Sequence, residues 1–251
     1  MDNTAISAQN ITKTFLVPHE KISTLRGAFV NILKTKSYEK FIALSGISFS
    51  VEKGEFFGII GRNGSGKSTL LKILAKIYDP DSGQLKINGR ISPFLELGIG
   101  FNPELSGKDN VYLNATVLGL TRKQIDAKFP SIVNFSGLKR FIDQKISNYS
   151  SGMQVRLAFS VAIHANREIL LMDEVLAVGD SNFQQKCLKQ FDKFHKEKKT
   201  IILVTHDMKM IRRYCDRVML LRNGVIEMIG KPNEVIHKYI QQNIADAKKS
   251  S

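Results

Sequence analysis

The chain has 251 residues, 43% of them hydrophobic and 24% charged, with a formal net charge of +14. That size and balance suit one large globular domain or two small ones. No run of about 18 uninterrupted apolar residues occurs, which excludes an apolar membrane-spanning helix, and MDNTAISAQN reads as no signal peptide.

Two cysteines, Cys187 and Cys215, both in helical patterns, read as free thiols of a reducing compartment. The positive charge permits a nucleotide, a nucleic acid or an anionic membrane surface as partner. No basic stripe interleaved with aromatics suggests base stacking, so nucleic acid ranks lowest.

Ile6, Ala8, Ile11 and Phe15 alternate and predict a first strand. Ile22, Leu25, Phe29 and Ile32/Leu33, flanked by Lys21, Arg26, Lys34 and Lys36, predict an amphipathic helix. Residues 44–51 place Ile47, Phe49 and Val51 on one face of a second strand. The apolar run 55–60 (EFFGII) fits a strand buried on both faces, as in a parallel sheet, and a glycine-rich loop and a helix over 68–77 follow it. After a strand at 91–95, residues 95–165 are mostly helical, with a capping box at Thr121 and Gln124. Buried strands recur at 168–173 and 200–205, around a helix carrying Phe183, Cys187, Phe191 and Phe194. That alternation predicts a parallel α/β core. Asn223-Gly224 marks a type I′ hairpin within 217–229. Pro232 opens a last helix with Val235, Ile236, Tyr239 and Ile240 on one side, and the residues after Ile244 read as disordered.

Residues 61–69, GRNGSGKST, match the phosphate-loop pattern in full. Gly61, Gly64 and Gly66 let the backbone wrap around phosphate oxygens, with Arg62, Asn63 and Ser65 completing the wrap. The N–H groups and dipole of the following helix start favour an anion. Lys67 is expected at the β- and γ-phosphates of ATP, Ser68 on Mg2+, and Thr69 on the α-phosphate. In ILLMDE (169–174), Asp173 emerges at a strand end to hold magnesium. Glu174 follows as the base for the attacking water. His206, past the strand TIILVT, reads as a γ-phosphate sensor.

A phosphate loop alone leaves a kinase, a GTPase or a helicase open. Residues 149–154, YSSGMQ, followed by VRLAFSVAIHA, resemble the signature motif of an ABC ATPase, whose common form is LSGGQ. Ser151, Gly152 and Gln154 match it, whereas Tyr149, Ser150 and Met153 depart or vary. The resemblance covers about residues 3–240 and implies a P-loop NTPase α/β core with an antiparallel β subdomain and an inserted helical subdomain at about 95–165. It implies a homodimer, in which one copy's Ser-Gly helix start closes over the γ-phosphate held by the other. It places the D-loop at Leu176 to Asp180, with Asp180 as the matching carboxylate. It puts Phe15 on adenine, with Tyr38 and Phe41 as alternatives. The usual Q-loop glutamine is missing from PFLELGIGFNPELSGKDN, where Glu96 is the nearest polar candidate.

The stretch LELGIGFNPELSGKDNVYLNATVLGL, the variant signature and an insertion at 16–41 resemble the ATPases of polysaccharide exporters, which move O-antigen, teichoic acid or capsular chains. The expected partners are two copies of an integral-membrane permease, a second copy of this chain and, through the permease, a lipid-linked glycan. No nucleic acid is expected. The expected place is the cytoplasmic face of the cell membrane, and the helix within the insertion is expected at that surface or against the permease. Little sequence follows 232–243, so one nucleotide domain over 1–251 is expected, without a C-terminal carbohydrate-binding domain. The alternatives are a non-transport ABC ATPase on nucleic acid or ribosomes, and a phosphate-loop kinase or GTPase. Against the last, no N-K-x-D pattern occurs.

Overall fold

The computed structural model describes residues 3–18, 38–94, 100–165, 167–173 and 180–249. Its centre is β3 (Phe56–Ile60), buried at every position because it lies inside a sheet covered on both faces. The sheet is completed by β5 (Ile91–Phe94), β6 (Ile169–Asp173), β7 (Thr200–Val204), β8 (Arg217–Arg222) and β9 (Val225–Gly230), in the order β5-β6-β7-β3-β8-β9. All neighbours are parallel except the last pair. There the chain turns back through Asn223 and Gly224, whose φ values of 48° and 76° provide the two left-handed positions of a primed turn.

Side chains alternate between two cores. Phe56, Ile60, Leu170, Met172, Ile201 and Leu203 face one side. They meet Phe183, Cys187, Phe191 and Phe194 of the helix Ser181–Lys196, and Val235 and Ile236 of the helix Pro232–Lys249. Phe57, Ile59, Leu171, Ile202 and Val204 face the other. They meet the helix Lys67–Leu74 (α1) and a second, antiparallel sheet of β1 (Thr4–Pro18), β2 (Tyr38–Glu52) and β4 (Ser82–Ile87), ordered β2-β1-β4.

The ribbon of β1 and β2 runs further than the alternation suggests. Leu16, Val17 and Pro18 pair with Lys40, Glu39 and Tyr38, inside the range expected to be inserted. The amphipathic helix expected at 21–36 lies outside the described residues.

Between β5 and β6 come α2 (Gly107–Val117), α3 (Arg122–Ser136), a 3-10 turn (Ile146–Asn148) and α4 (Ser151–His164). Thr121 and Gln124 form the reciprocal cap of α3. Leu157 and Val161 of α4 bury against Val111, Ile125 and Ile132, whereas Phe159 and Ala162 bury in the sheet's core. Thus α4 belongs to both layers and fixes the helical unit to the sheet. The remaining helices are α5 (Ser181–Lys196), α6 (Met208–Tyr214) and α7 (Pro232–Lys249).

The expectation of a disordered tail after Ile244 is corrected: α7 continues to Lys249. Asp246 in that last stretch is anchored to Arg62 and Arg222. An Ala- and Lys-rich end has good helix propensity, and a tertiary contact completes it.

Candidate functional site

The phosphate loop joins the carboxyl end of β3 to α1. Two glycines are required by close approach. At Gly61 a Cβ would stand 2.2 Å from the Leu221 carbonyl oxygen; at Gly66, with φ of 104°, it would stand 2.6 Å from that of Ala43. The hairpin turn braces the loop, since Gly224 N–H donates to the Ser65 carbonyl at 3.1 Å and Ser45 N–H donates to the Gly224 carbonyl at 2.8 Å.

Lys67 is buried, and its ammonium donates to the carbonyls of Gly61 at 2.7 Å and Arg62 at 2.9 Å. The loop therefore holds its own cation over the concavity. Among the described residues Ser65 Oγ is buried without a hydrogen-bond partner, an uncommon state for a hydroxyl.

A cavity of about 530 Å³ opens beside the loop, lined by Asn63, Gly64, Gly66, Lys67, Ser68 and Thr69 together with Asp173, His206, Phe41 and Ala43. Its size lies in the range of small-molecule sites. Asp173 ends β6 and His206 follows β7, so strand register brings them to the edge where β3 delivers the loop. Among the described residues no three His, Cys, Asp or Glu side chains form a protein-only metal site. The pairing of Ser68 with Asp173 suits a cation that takes most of its remaining ligands from phosphate and water.

Phe41, 51% exposed, lines the cavity, and Phe15 does not. Phe15 is paired in register with Phe41 and packs edge-on against Tyr78 at 5.6 Å, with the Lys13 ammonium over its ring. The alternation of β1 could not separate the two, because residues directly opposite in an antiparallel pair share a face. Tyr38, the other alternative, is half exposed and pairs with Pro18 at the far end of the ribbon.

The signature segment opens α4. Its cap is Ser150, whose Oγ accepts from Met153 N–H at 3.2 Å; Ser151, Gly152 and Gln154 lie in the first turn. The hydroxyl at the helix mouth is therefore Ser150's, a residue the motif comparison set aside. A serine immediately before a helical pattern is the signal that marks it. Arg156, one turn on, pairs with Asp180 at 3.0 Å. Asp180 also caps α5 through Phe183 N–H. That N–H, then Arg156, holds the Asp180 carboxyl below the usual carboxylate range. Glu174, Glu96 and residues 176–179 of the D-loop lie outside the described residues.

The family model described as ABC transporter matches residues 44–177, more than half of the chain. The chain belongs to the ABC transporter family. As a member of it, this ABC protein binds nucleotide. It is 43% identical to the O-antigen export system ATP-binding protein RfbB of Klebsiella pneumoniae over 94% of this chain and 97% of that one. It is 49% identical to RfbB of Myxococcus xanthus over 78% of this chain, and spans 45% of that protein. It is 41% identical to the teichoic acids export ATP-binding protein TagH of Lactococcus lactis over 93% of this chain, and spans 50% of that protein. The fold is shared with a dimeric ATP-binding cassette solved in a post-hydrolysis state with ADP and phosphate, at TM-score 0.72, 24% identity, 90% coverage of this chain and 98% of that one.

Proposed function

We propose that the chain is the ATP-hydrolysing subunit of an ABC exporter of a lipid-linked polysaccharide of the O-antigen, teichoic acid or capsule class. The observation that carries this is the joint cavity of the phosphate loop, Asp173 and His206, in a chain matching an O-antigen export subunit over 97% of that subunit's length.

The backbone from Gly61 to Thr69 and the Lys67 ammonium bind the phosphates, and Phe41 covers the base. Ser68 and Asp173 hold magnesium, which supplies charge neutralisation to the phosphate oxygens. Glu174 takes the proton of the attacking water, and His206 hydrogen-bonds the γ-phosphate edge. A second copy closes the site with the α4 start, through Ser150, Ser151, Gly152 and Gln154, and with the Asp180 region. Residues 1–251 act as one nucleotide-binding domain, with a helical unit at about 95–165.

Among the described residues no helix is long and apolar enough to cross a membrane. Attachment to the cytoplasmic face of the cell membrane would come from two copies of a separate permease, a reading supported by the likeness to export-system ATP-binding proteins. Purification from detergent-solubilised membranes should bring down a polytopic permease, and recovery of ribosomes or RNA in its place would overturn the assignment. Glu174→Gln should retain ATP, lose hydrolysis and accumulate as the dimer; turnover at the wild-type rate would remove Glu174 as the base.

A further inference from the structure

A carboxylate on the last helix reaches the phosphate loop. Asp246 of α7 accepts from the Arg62 guanidinium at 2.9 Å and from that of Arg222, at the end of β8, at 3.1 and 3.2 Å. Arg62 is the second residue of the loop, and its own carbonyl oxygen accepts from the Lys67 ammonium at 2.9 Å and from Ser65 N–H at 3.1 Å. Arg222 precedes the Asn223-Gly224 turn, whose Gly224 N–H donates to the Ser65 carbonyl. One side chain thus ties both flanks of the loop together, and each flank leads in one step to a group that shapes the phosphate cradle.

The alternative is that this is a surface ion pair of little consequence. Arg62 is well exposed, which makes the pair's own contribution to stability small. Its effect on geometry is another matter. Asp246 is partly buried and contacts both guanidinium groups, and a two-armed contact fixes orientation as well as distance. Arg62 and Asn63 also line a second cavity, of about 570 Å³, with Tyr239, Asn243 and Asp246 of α7, and it shares Asn63 and His206 with the nucleotide cavity. The helix therefore forms a wall directly behind the loop.

We propose that Asp246 is a positioning residue for nucleotide binding, acting through Arg62 to set the carbonyl that holds Lys67, so that the seating of α7 determines the affinity of the phosphate loop. This rests on the ATP-binding reading of the same site.

The test uses the full chain. Titration with a fluorescent ATP analogue and magnesium should show Asp246→Asn binding about 5–10-fold more weakly than wild type, while the charge-conserving Asp246→Glu stays within about twofold, as expected when an oriented ion pair worth roughly 1 kcal/mol is lost. Melting temperatures should stay within a few degrees, and in turnover the loss should fall on KM with kcat little changed. Arg222→Gln, which removes the other arm, should weaken binding in the same direction. Unchanged affinity in Asp246→Asn overturns the proposal. Should Asp246→Asn fold poorly, unchanged affinity in Arg62→Gln, which removes the arm through which Asp246 acts, overturns it equally. A wild-type chain that binds no ATP would instead overturn the functional assignment.

Discussion

Lys67 shows what the loop does before any ligand arrives. Its ammonium is buried and held by two backbone carbonyls, so the cost of desolvating it is met on folding and not on binding. The loop's shape is what makes this possible, and that shape has no room for a Cβ at Gly66. Gly66→Ala should fold yet bind ATP at least about tenfold more weakly, since the loop must shift away from Ala43 to relieve the clash. Wild-type affinity in an equilibrium titration would show that the loop adapts. The two paired phenylalanines separate in the same assay. Phe41→Ala should weaken ATP binding by roughly 2–10-fold, the range of an aromatic contact worth about 0.5–1.5 kcal/mol. Phe15→Ala should leave affinity alone and lower thermal stability, because its ring packs on Tyr78 and not in the cavity. The reverse result would restore Phe15 as the base-stacking residue.

At the scale of elements, the signature helix is where position within a turn decides a residue's role. Ser150 caps α4 and Ser151 follows inside it. Ser150→Ala should cost about 0.5–2 kcal/mol in chemical denaturation, the usual loss for an N-cap. Ser151→Ala should be neutral or slightly stabilising, as alanine is the better helix former. Equal effects would mean that the cap does not set the helix start. The contrast also marks what could be read from the chain alone. Strands β3, β6 and β7 were legible because strands buried on both faces read as continuous apolar runs, and the Asn223-Gly224 hairpin because its turn demands left-handed φ at both positions. Strand β4, SGQLKI, carries few apolar residues and is exposed at four of its six positions, so no apolar alternation marks it. The end of α7 is not legible for a related reason: ADAKK looks solvated, and the partners of Asp246 lie far away in sequence, at Arg62 and Arg222. Phe15 and Phe41 are also paired across β1 and β2 on one face, so no local pattern tells them apart.

For the whole molecule, the net charge of +14 has a local consequence at the junction between the helical unit and the sheet. A cavity of about 180 Å³ there is lined by His164 at the end of α4, Lys128 of α3, Arg167, and Gln190 and Lys193 of α5, with Glu197 and Lys199 just beyond that helix. Lys128 donates to the His164 carbonyl at 2.8 Å, and the His164 ring nitrogen Nδ1 donates to the Ser160 carbonyl at 2.7 Å. Burial pushes the His164 imidazole below its ordinary value; the Lys128 and Lys193 cations add to this, and the Ser160 carbonyl opposes it. The folded protein therefore takes up the proton at a lower pH than the unfolded chain does. Below about pH 6.5 the unfolded state binds more protons at this position, so stability falls as the pH is lowered through that region. Urea unfolding at pH 7.5 and pH 5.5 should show wild type losing more stability on acidification than His164→Gln, which keeps a donor for the Ser160 carbonyl but does not titrate. Because α4 is built into both hydrophobic layers through Phe159 and Leu157, the loss should appear in one cooperative transition and not as separate melting of the helical unit. Identical acid slopes in the two proteins would mean that His164 is protonated as readily folded as unfolded, and that burial and the nearby cations produce no net shift in it.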